Sequence, residues 1–558
     1  MTAVTHQPRL AHWPARPGPE LLQLTVGDLL DQEAARDPDR LFFVCRDPDL
    51  GIDVRWTLRE LKSHVDRLAR GLMQLGIERG DKVGVLSPNR PEWLLANFAL
   101  PKIGAVLVTV NTHSRQQELG HILAQAELRA LILQGSHRGN PTLGHLRALL
   151  ATGSYPGFRH AILLDGEEPG TLPFDQVLAA ADAVEPAALA ERQSRASPSD
   201  AWQIQFTSGT TGSPKGAMLT HFGTVNNARI FGSAAGMRPG DRLVSAMPMF
   251  HTAGNITEVL GLLVHGGTLV KATAFEPGWM LRLIHEERPT ILAAVPTMVI
   301  AMLNHPSFMA GEVDTASLRL WIAGGTAMPL RVLERVRQEF GAEPQIGFGM
   351  TELSPMVSCT AMGDSLERKS QTVGRPLPHV EVKIADSEGA TCRPGEPGEL
   401  LVRSFGAMAG YYRQPEATAR TLDAEGWLHS GDLASMDEDG TLRIVGRIKD
   451  MIKRGGENVY PAEVEDFLAR HPKIAQAQVV GVPDGYMGEE SAAFVQLRPG
   501  ESMTPDELAA HCREHMARHK LPKYIRFVTR YPLTASGKVM KYALRENLLN
   551  ELNAGDSR

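Results

Sequence analysis

The sequence predicts an α/β protein in three parts: a large N-terminal domain of helix-covered parallel sheets, a small β-barrel-like subdomain and a small α+β C-terminal domain. From about residue 22 to 358, short apolar segments alternate with longer amphipathic ones, a pattern typical of parallel sheets covered by helices. Near Val373 glycine and proline become frequent, which favours hairpins. We place an N-terminal arm at 1–21, the large domain with its subdomain at 22–447 and the C-terminal domain at 448–558.

Taken in order, the apolar segments predict the buried strands of the large domain. These are DKVGVLS, GAVLVTVN, RALILQG, HAILLDG, QIQFTSG, RLVSAMP, TILAAVP, LRLWIAGG and PQIGFG. The amphipathic stretch TLRELKSHVDRLARGLMQLG predicts one of the longer covering helices. The most apolar stretch, Trp93 to Val110, contains Asn97, Pro101 and Lys102, so we interpret it as a helix followed by a strand and expect no transmembrane segment.

The later segments change in character. VEVKIADSEG, GELLVRS and GTLRIVG predict antiparallel strands of the small β subdomain. PAEVEDFLARHP predicts a helix, and SAAFVQLRPG and KYIRFVTRY predict strands. Thr504, Pro505 and Glu507 form a capping-box pattern, which predicts a helix from Pro505 through His519.

The composition excludes several classes of protein. Of the 558 residues, 43% are hydrophobic and 22% charged, which argues against a disordered or fibrous chain. The net charge of −6 provides no basic field for nucleic acid or an anionic membrane. The four cysteines are scattered and contain no Cys-x-x-Cys pair, so the sequence predicts neither a zinc ribbon nor a disulfide scaffold. This cysteine usage instead fits a reducing compartment.

The N-terminal arm contains four prolines and no apolar core for a secretory signal. We interpret it as a disordered arm and expect the protein in the cytoplasm. Arg9 and Arg16 precede the first acid, Glu20, which keeps a transit peptide for the mitochondrial matrix as the alternative.

The sharpest chemical signal is QFTSGTTGSPKG, from Gln205 to Gly216. Hydroxyls and bare backbone N–H groups are what a polyphosphate needs, and glycines let the backbone approach phosphate oxygens closely. Lys215 adds a point charge. The spacing differs from a Walker A loop, since no Gly-Lys-Ser/Thr closes it. A solvent-exposed turn is the alternative, but the hydroxyl density behind a strand favours phosphate binding.

This loop resembles the signature loop of the adenylate-forming superfamily of acyl-CoA synthetases, adenylation domains and luciferase. Four further segments agree with that family in order: PMFHTAG, GFGMTE, the run from GWLHSGD to GRIKDMIKRGGEN, and ASGKVMK. In finer detail, QTVGRPLPHVEVKI, RGGENVYPAEVEDF and YPLTASGKVMKYALRE look most like the medium-chain fatty acyl-CoA synthetase branch.

The resemblance implies an AMP-forming acid–thiol ligase with a mobile C-terminal domain. A fatty acid, of medium chain length by the finer resemblance, attacks the α-phosphate of Mg-ATP to give acyl-AMP and pyrophosphate. Coenzyme A then displaces AMP to give the thioester. The implied partners are a small carboxylic acid, ATP and coenzyme A, and the implied metal is Mg²⁺. No nucleic-acid partner is expected. We keep a homodimer as an open alternative for the oligomeric state.

By the same resemblance, the following residues bind ATP or AMP: Thr207, Ser208, Gly209, Thr210, Thr211, Gly212, Lys215, Gly325, Thr326, Gly347, Phe348, Gly349, Thr351, Asp432, Arg447, Lys449 and Lys538. Phe348, where most of the family has tyrosine, is expected to stack on adenine. Thr207 and Glu352 are the expected metal ligands, since Mg²⁺ prefers oxygen donors. Asp432 is expected to accept both ribose hydroxyls, with Arg447 as its partner; an ordinary hairpin ion pair is the alternative.

Lys538 is the expected catalytic lysine, because adenylation brings an anionic carboxylate to an anionic triphosphate and one positioned cation offsets both charges. The other expected catalytic residues are Glu352, Thr351 and His251. Lys449 is the expected hinge, and Lys453, Gly455 and Gly456 the coenzyme A tunnel; a solvated basic face is the alternative.

The acyl pocket is expected at His251, Gly254, Asn255, Gly324 and Met350. The first acid after His251 is Glu258, so no carboxylate stands where an amino-acid-activating domain would bind its amine. The segment ITEVLGLLVHGG is apolar and suits an alkyl or aryl tail. An aryl-acid ligase, an enzyme passing its acyl group to a carrier protein or to oxygen, and a binding protein without activity remain alternatives.

Overall fold

The computed structural model describes residues 10–207, 214–325, 328–534 and 539–555. Its strands, in chain order, are β1 (His12–Trp13), β2 (Leu41–Asp47), β3 (Ile52–Thr57), β4 (Lys82–Leu86), β5 (Val106–Thr109), β6 (Leu128–Leu133), β7 (His160–Leu163), β8 (Leu172–Pro173), β9 (Ala201–Thr207), β10 (Lys215–Thr220), β11 (Arg242–Ser245), β12 (Thr268–Lys271), β13 (Ile291–Ala293), β14 (Leu320–Gly324), β15 (Glu343–Gly349), β16 (Met356–Cys359), β17 (Arg375–Pro376), β18 (Val380–Ala385), β19 (Gly398–Ser404), β20 (Gly410–Tyr411), β21 (Leu428–Met436), β22 (Leu442–Arg447), β23 (Ile452–Arg454), β24 (Glu457–Val459), β25 (Ile474–Asp484), β26 (Gly488–Leu497) and β27 (Tyr524–Phe527).

The α-helices are α1 (Val26–Arg36), α2 (Leu58–Gln74), α3 (Pro91–Lys102), α4 (Gln116–Ala126), α5 (Thr142–Leu150), α6 (Phe174–Ala179), α7 (Pro186–Ser194), α8 (His221–Ala234), α9 (Gly261–His265), α10 (Pro277–Glu287), α11 (Pro296–Leu303), α12 (Pro306–Met309), α13 (Leu330–Arg335), α14 (Leu366–Gln371), α15 (Pro415–Thr421), α16 (Pro461–Ala469), α17 (Pro505–His515) and α18 (Lys541–Gly555). A π-helix, Ala253–Leu260, runs directly into α9.

The chain divides into two compact units. The larger unit contains residues 14–382 and 402–428, and the smaller unit contains residues 1–13, 383–401 and 429–558. The predicted boundary after residue 447 stays a prediction.

Two sheets organise the larger unit. One has the strand order β20-β10-β9-β5-β4-β6-β7-β8, and the other has the order β17-β16-β15-β14-β13-β11-β12-β2-β3. The central strands of both are parallel, which explains why they appear in the sequence as unbroken apolar runs. The predicted α/β class is therefore confirmed. The hairpin β2–β3 and strand β12 were not among the predicted strands.

Local signals placed several elements correctly. Thr57 and Glu60 form a capping box at the start of α2, and the stretch with Pro101 is helix α3 followed by strand β5, as expected. No helix among the described residues is long and apolar enough to cross a membrane.

Strands β1, β18, β19, β21 and β22 form a five-stranded sheet, in that order, where the small β subdomain was predicted. The interpretation of residues 1–21 as a disordered arm is wrong for part of that stretch. Ala11 is buried and exchanges backbone hydrogen bonds with Ile384 and Cys392. The ring of Trp13 lies against Gly440, where an added Cβ would come within 2.2 Å of it. These contacts order the segment despite its prolines.

The C-terminal part of the smaller unit is α+β, as predicted. Strands β24, β23, β26 and β25 pair in that order, with β27 parallel to β26. Thr504 and Glu507 form the expected capping box of α17. The helix ends at His515 and not at His519, because Met516 adopts an extended conformation and packs on the core of this unit. Residues Arg518–Lys520 form a separate 3-10 turn.

Candidate active site

Strands β9 and β10 hold the two ends of the predicted phosphate loop together. Thr207 and Lys215 are paired residues of this antiparallel hairpin, and the Thr207 hydroxyl donates to the carbonyl oxygen of Lys215 over 3.4 Å. Ser208, Gly209, Thr210, Thr211 and Gly212 lie outside the described residues. The hairpin thus fixes where the loop leaves and rejoins the sheet, and the role of the loop stays a prediction.

Tyr411, which the sequence analysis did not single out, lies beside this hairpin. Strand β20 pairs with β10, with Tyr411 opposite Ala217. The Lys215 ammonium lies 5.0 Å from the centroid of the Tyr411 ring, a distance at which a cation is attracted to the face of an aromatic ring. The tyrosine therefore holds the only lysine of the predicted loop.

The same tyrosine contacts the predicted metal ligand. Its hydroxyl donates to Oε1 of Glu352 over 2.8 Å, and both side chains are nearly buried, at 6% and 7% exposure. Burial, with the nearby carboxylate, raises the pKa of Tyr411 above its usual value, so the hydroxyl keeps its proton and remains a donor. Lys215, Tyr411 and Glu352 form one continuous chain of contacts.

The residues before Glu352 come from strand β15. Gly347, Phe348 and Gly349 end this strand, Phe348 is half-buried, and Thr351 and Glu352 begin a 3-10 turn. A Cβ on Gly347 would lie 2.8 Å from the ring of Phe231, and one on Gly349 would lie 2.0 Å from the carbonyl oxygen of Pro355. Packing against the protein itself therefore explains both glycines, without an adenine ring.

The neighbouring strand end carries the second glycine pair. Gly324 is opposite Gly347 in the β14–β15 pairing, and a Cβ on it would meet the Gly347 carbonyl oxygen at 2.4 Å. Gly325 has a φ of +76°, a conformation that favours glycine. Thr326 lies outside the described residues. The structure brings this turn and the end of β15 together at the same edge of the sheet.

The predicted acyl-pocket residues follow strand β11. His251 is half-buried, and its carbonyl oxygen accepts from the backbone N–H of Gly254 and of Asn255. A Cβ on Gly254 would lie 2.3 Å from the Pro248 carbonyl oxygen. Asn255 is fully buried on the π-helix, and neither atom of its amide has a hydrogen-bond partner within the described residues. Met350, half-buried, follows β15.

Glu258, on the same π-helix, has a different environment. It accepts from the Ser245 hydroxyl over 2.8 Å and pairs with the ammonium of Lys271. Both ionisable groups are fully buried, and burial raises the pKa of Glu258 and lowers that of Lys271. The Glu258 carboxyl group is therefore satisfied by contacts within the protein itself.

Asp432 and Arg447 form an ion pair in the smaller unit. They are opposite each other in the β21–β22 hairpin, and Nε of Arg447 lies 2.5 Å from Oδ1 of Asp432. Asp432 is only 3% exposed, and its N–H donates to the Ser430 hydroxyl. The predicted partnership of these two residues is present, while the ribose role stays a prediction.

The predicted hinge and tunnel residues follow directly in the chain. Lys449 lies in a 3-10 turn, where burial lowers its pKa. Lys453 is on β23, and Gly455 and Gly456, both with positive φ, form the turn to β24. Two consecutive positive φ values are what a tight hairpin turn requires, so the turn alone explains both glycines. Lys538 lies outside the described residues.

Tyr411 is the residue near the site that sequence reasoning missed. The only local signal is the pair Tyr411-Tyr412 in a chain with eight tyrosines, and nothing in that pair distinguishes a buried hydroxyl from an exposed one. Its contact with Glu352 joins residues 59 positions apart.

Comparison with known proteins identifies the family of this chain. The profile of the AMP-binding enzyme family matches residues 30–412, and that of the AMP-binding enzyme C-terminal domain matches residues 463–538.

Individual relatives match over almost the whole chain. YngI of Bacillus subtilis, which carries the name of an acyl-CoA synthetase, is 41% identical over 97% of this chain and 100% of its own. The human mitochondrial medium-chain acyl-CoA ligase ACSF2 is 37% identical over 95% of this chain and 88% of its own. The crystal structure of the anthranilate CoA ligase AuaEII with anthranoyl-AMP superposes with a TM-score of 0.83, at 28% identity, over 94% of this chain and 97% of that one.

Proposed function

Since the chain belongs to the AMP-binding enzyme family and is an AMP-forming acid–CoA ligase that uses ATP and coenzyme A, we propose that its acid substrate is a medium-chain fatty acid. The observation that carries this proposal is the similarity to the human medium-chain ligase along nearly the full length of both chains. The apolar side chains on the π-helix and α9 support an apolar tail, since Ile256, Val259 and Leu262 are fully buried there.

The proposed reaction has two steps. A carboxylate oxygen of the acid attacks the α-phosphorus of ATP, and the bond to pyrophosphate breaks. The thiol sulfur of coenzyme A then attacks the acyl carbon, its proton is released and AMP leaves. The first step brings an anionic carboxylate to an anionic triphosphate, so the chain's task there is to orient the two groups and to offset their charge.

We assign the phosphates to the loop after Thr207 and to Lys215, and the catalytic cation to Lys538. The paired strands β9 and β10 support the first assignment, because a clamped loop loses less conformational entropy when it orders around a ligand. Thr351 is assigned to the α-phosphate, Phe348 to adenine, and Gly324, Gly325 and Thr326 to the turn between adenine and the acyl chain.

Magnesium is part of this proposal, with Glu352 and Thr207 as its protein ligands. A carboxylate and a hydroxyl are oxygen donors of the kind that this hard cation prefers. The hydrogen bond that the Glu352 carboxylate accepts among the described residues reaches Oε1, and its donor, the Tyr411 hydroxyl, brings no positive charge. These residues fit the metal, which when bound neutralises phosphate charge.

In the smaller unit, Asp432 and Arg447 are assigned to the ribose hydroxyls, Lys449 to the hinge, and Lys453, Gly455 and Gly456 to the coenzyme A tunnel. A carboxylate is a good acceptor for hydroxyl donors, and each of its oxygens can accept more than one hydrogen bond. Lys449 lies in the 3-10 turn between β22 and β23, and a short turn between strands is the kind of connection that can act as a hinge.

An aromatic acid is the second candidate substrate. The superposition with an anthranilate CoA ligase favours it. The buried apolar residues do not discriminate between the two candidates, because a pocket for an aryl ring and a pocket for an alkyl chain are both apolar. The pocket side chains come from distant segments, and one methylene changes discrimination by only about 1–3 kcal/mol.

Mass spectrometry after mixing the enzyme with Mg-ATP, coenzyme A and an acid panel tests the function. The panel contains short-, medium- and long-chain fatty acids, benzoic and anthranilic acids. Medium-chain thioesters with the highest kcat/KM support the proposal, and preferred aryl thioesters contradict it. Acyl-AMP that coenzyme A never consumes would instead indicate transfer to another acceptor.

A Lys538→Ala variant separates the half-reactions. We expect acyl-AMP formation to fall by about 10²–10³-fold, while thioester formation from supplied acyl-AMP is largely retained. Equal loss of both half-reactions would contradict the role assigned to Lys538.

A further inference from the structure

We propose that Tyr411 is a positioning residue for adenylation, which holds Glu352 through its hydroxyl and Lys215 through its ring. One buried side chain would thereby set the distance between the carboxylate and the ammonium that the proposed function uses. The inference rests on that proposed function, because it takes Glu352 as a metal ligand and Lys215 as a phosphate contact.

The backbone around Tyr411 is fixed on both sides by strand β10. The Ala409 N–H donates to the Met218 carbonyl oxygen over 2.9 Å, and the Tyr412 N–H donates to that of Gly216 over 2.8 Å. The Tyr411 N–H donates to the Thr418 hydroxyl over 2.8 Å. The ring therefore projects from a short strand that cannot shift without breaking several hydrogen bonds, as a positioning group requires.

Glu352 is anchored to the same segment at two points. Its carbonyl oxygen accepts from the Met408 N–H over 2.8 Å, and its Oε1 accepts from the Tyr411 hydroxyl over 2.8 Å. The first contact fixes the backbone and the second fixes the rotation of the carboxylate. Oε2 is left as the oxygen for a cation. Groups that orient a metal ligand in this way typically change metal affinity by about 10–100-fold when removed.

The adjacent tyrosine repeats this chemistry at a different place. The Tyr412 hydroxyl donates to Oε2 of Glu127 over 3.2 Å, and the Lys82 ammonium lies 5.4 Å from its ring centroid. Glu127 is half-exposed and also pairs with Arg413. The Tyr412 side chain thus makes the same types of contact as that of Tyr411, but its partners, Glu127 and Lys82, are not proposed site residues. Tyr412 is therefore a matched control.

Calorimetric titration of ATP, with Mg²⁺ and with EDTA, tests the inference without turnover. The ratio of the ATP affinity with Mg²⁺ to the ATP affinity in EDTA gives the factor by which the metal strengthens ATP binding. In Tyr411→Phe, which keeps the ring and removes the hydroxyl, we expect this factor to fall by about tenfold. We expect ATP affinity in EDTA to be unchanged, because the ring still holds Lys215. Tyr412→Phe should match the wild type in both titrations.

The same variants give a kinetic readout. For Tyr411→Phe, we expect the Mg²⁺ concentration that half-saturates pyrophosphate release to rise by about tenfold, with the KM of coenzyme A unchanged. In the Glu352→Gln background, adding Tyr411→Phe should cause little further loss of metal-dependent binding, since the group it orients is already altered.

Three results would overturn the inference. One is a Tyr411→Phe variant with wild-type metal dependence; a second is equal loss of ATP affinity with Mg²⁺ and with EDTA, which indicates a merely structural role. The third is full additivity of Tyr411→Phe with Glu352→Gln. Failure of the adenylation on which this inference rests is distinct, because the wild-type protein would then form no acyl-AMP from any acid of the panel, whereas a preference for aryl acids changes the substrate and leaves the inference testable.

Discussion

Glu258 and Glu352, two of the buried glutamates of the larger unit, have surroundings that differ in one respect, and this difference decides what each can do. Glu258, on the π-helix, is paired with the Lys271 ammonium and the Ser245 hydroxyl. Glu352, after strand β15, accepts from the neutral hydroxyl of Tyr411. Both carboxyl groups are nearly inaccessible to solvent, so burial by itself does not separate them.

The partner of each carboxyl group determines the charge that is left for a ligand. Glu258 and Lys271 together carry no net charge, whether the proton lies on the lysine or on the glutamate. A hydroxyl donor brings no compensating charge to Glu352. A buried carboxylate with an ionic partner therefore serves the fold, whereas one with a neutral partner can attract a cation.

The largest expected effect comes from removing the charge of Glu352. In Glu352→Gln the side chain keeps its size and can still accept from Tyr411, so we expect little change in melting temperature. Pyrophosphate release at saturating substrates should fall by about 10²–10³-fold, the typical effect of removing one preorganised electrostatic group.

Glu258→Gln is the matched control for this variant. It should lower stability, because Lys271 is left buried without its partner, while the activity per folded molecule falls far less than in Glu352→Gln. Equal losses of activity in the two variants would remove the distinction between the two glutamates.

A smaller effect, on stability and not on chemistry, is expected from Lys271→Met. Removing one partner of a buried ion pair leaves the other charge uncompensated and typically lowers the free energy of unfolding by about 3–5 kcal/mol. Urea denaturation measures this loss.

The double variant Glu258→Gln/Lys271→Met should recover most of the lost stability, since neither group is then charged. A double variant as unstable as Lys271→Met would show that the cavity and packing dominate instead.

The smallest effect at neutral pH concerns His221, another buried ionisable group of this unit. Its Nδ1 accepts from the Val26 N–H over 3.0 Å, and burial lowers its pKa from 6.5 to about 4. The unfolded chain therefore binds a proton that the folded protein excludes. Stability from this group is fully present above pH 6.5 and is lost as the pH falls towards 4, by about 3 kcal/mol in total.

Urea denaturation across this pH range, for the wild type and for His221→Asn, isolates the contribution of the histidine. Asparagine offers an acceptor oxygen and does not titrate, so the pH dependence should be shallower in the variant. Identical pH profiles would mean that other groups cause the loss of stability in acid.

The sequence by itself determined many of the elements and the family of the protein. Apolar runs such as those of β4 and β14 and the capping boxes at Thr57 and Thr504 are local signals, because helix and strand preferences act over a few neighbouring residues. The hydroxyl-rich segment after Thr207 and the order of the other motifs carried the family in the same way, through contiguous residues.

Tertiary structure decided what these local patterns leave open. Ala11 and Trp13 are ordered by contacts with residues far along the chain, which no pattern within the N-terminal segment contains. Likewise, which of Glu258 and Glu352 meets an ammonium and which meets a hydroxyl depends on side chains supplied by other strands. Charge compensation is a property of neighbours in space, and only the packed fold brings those neighbours together.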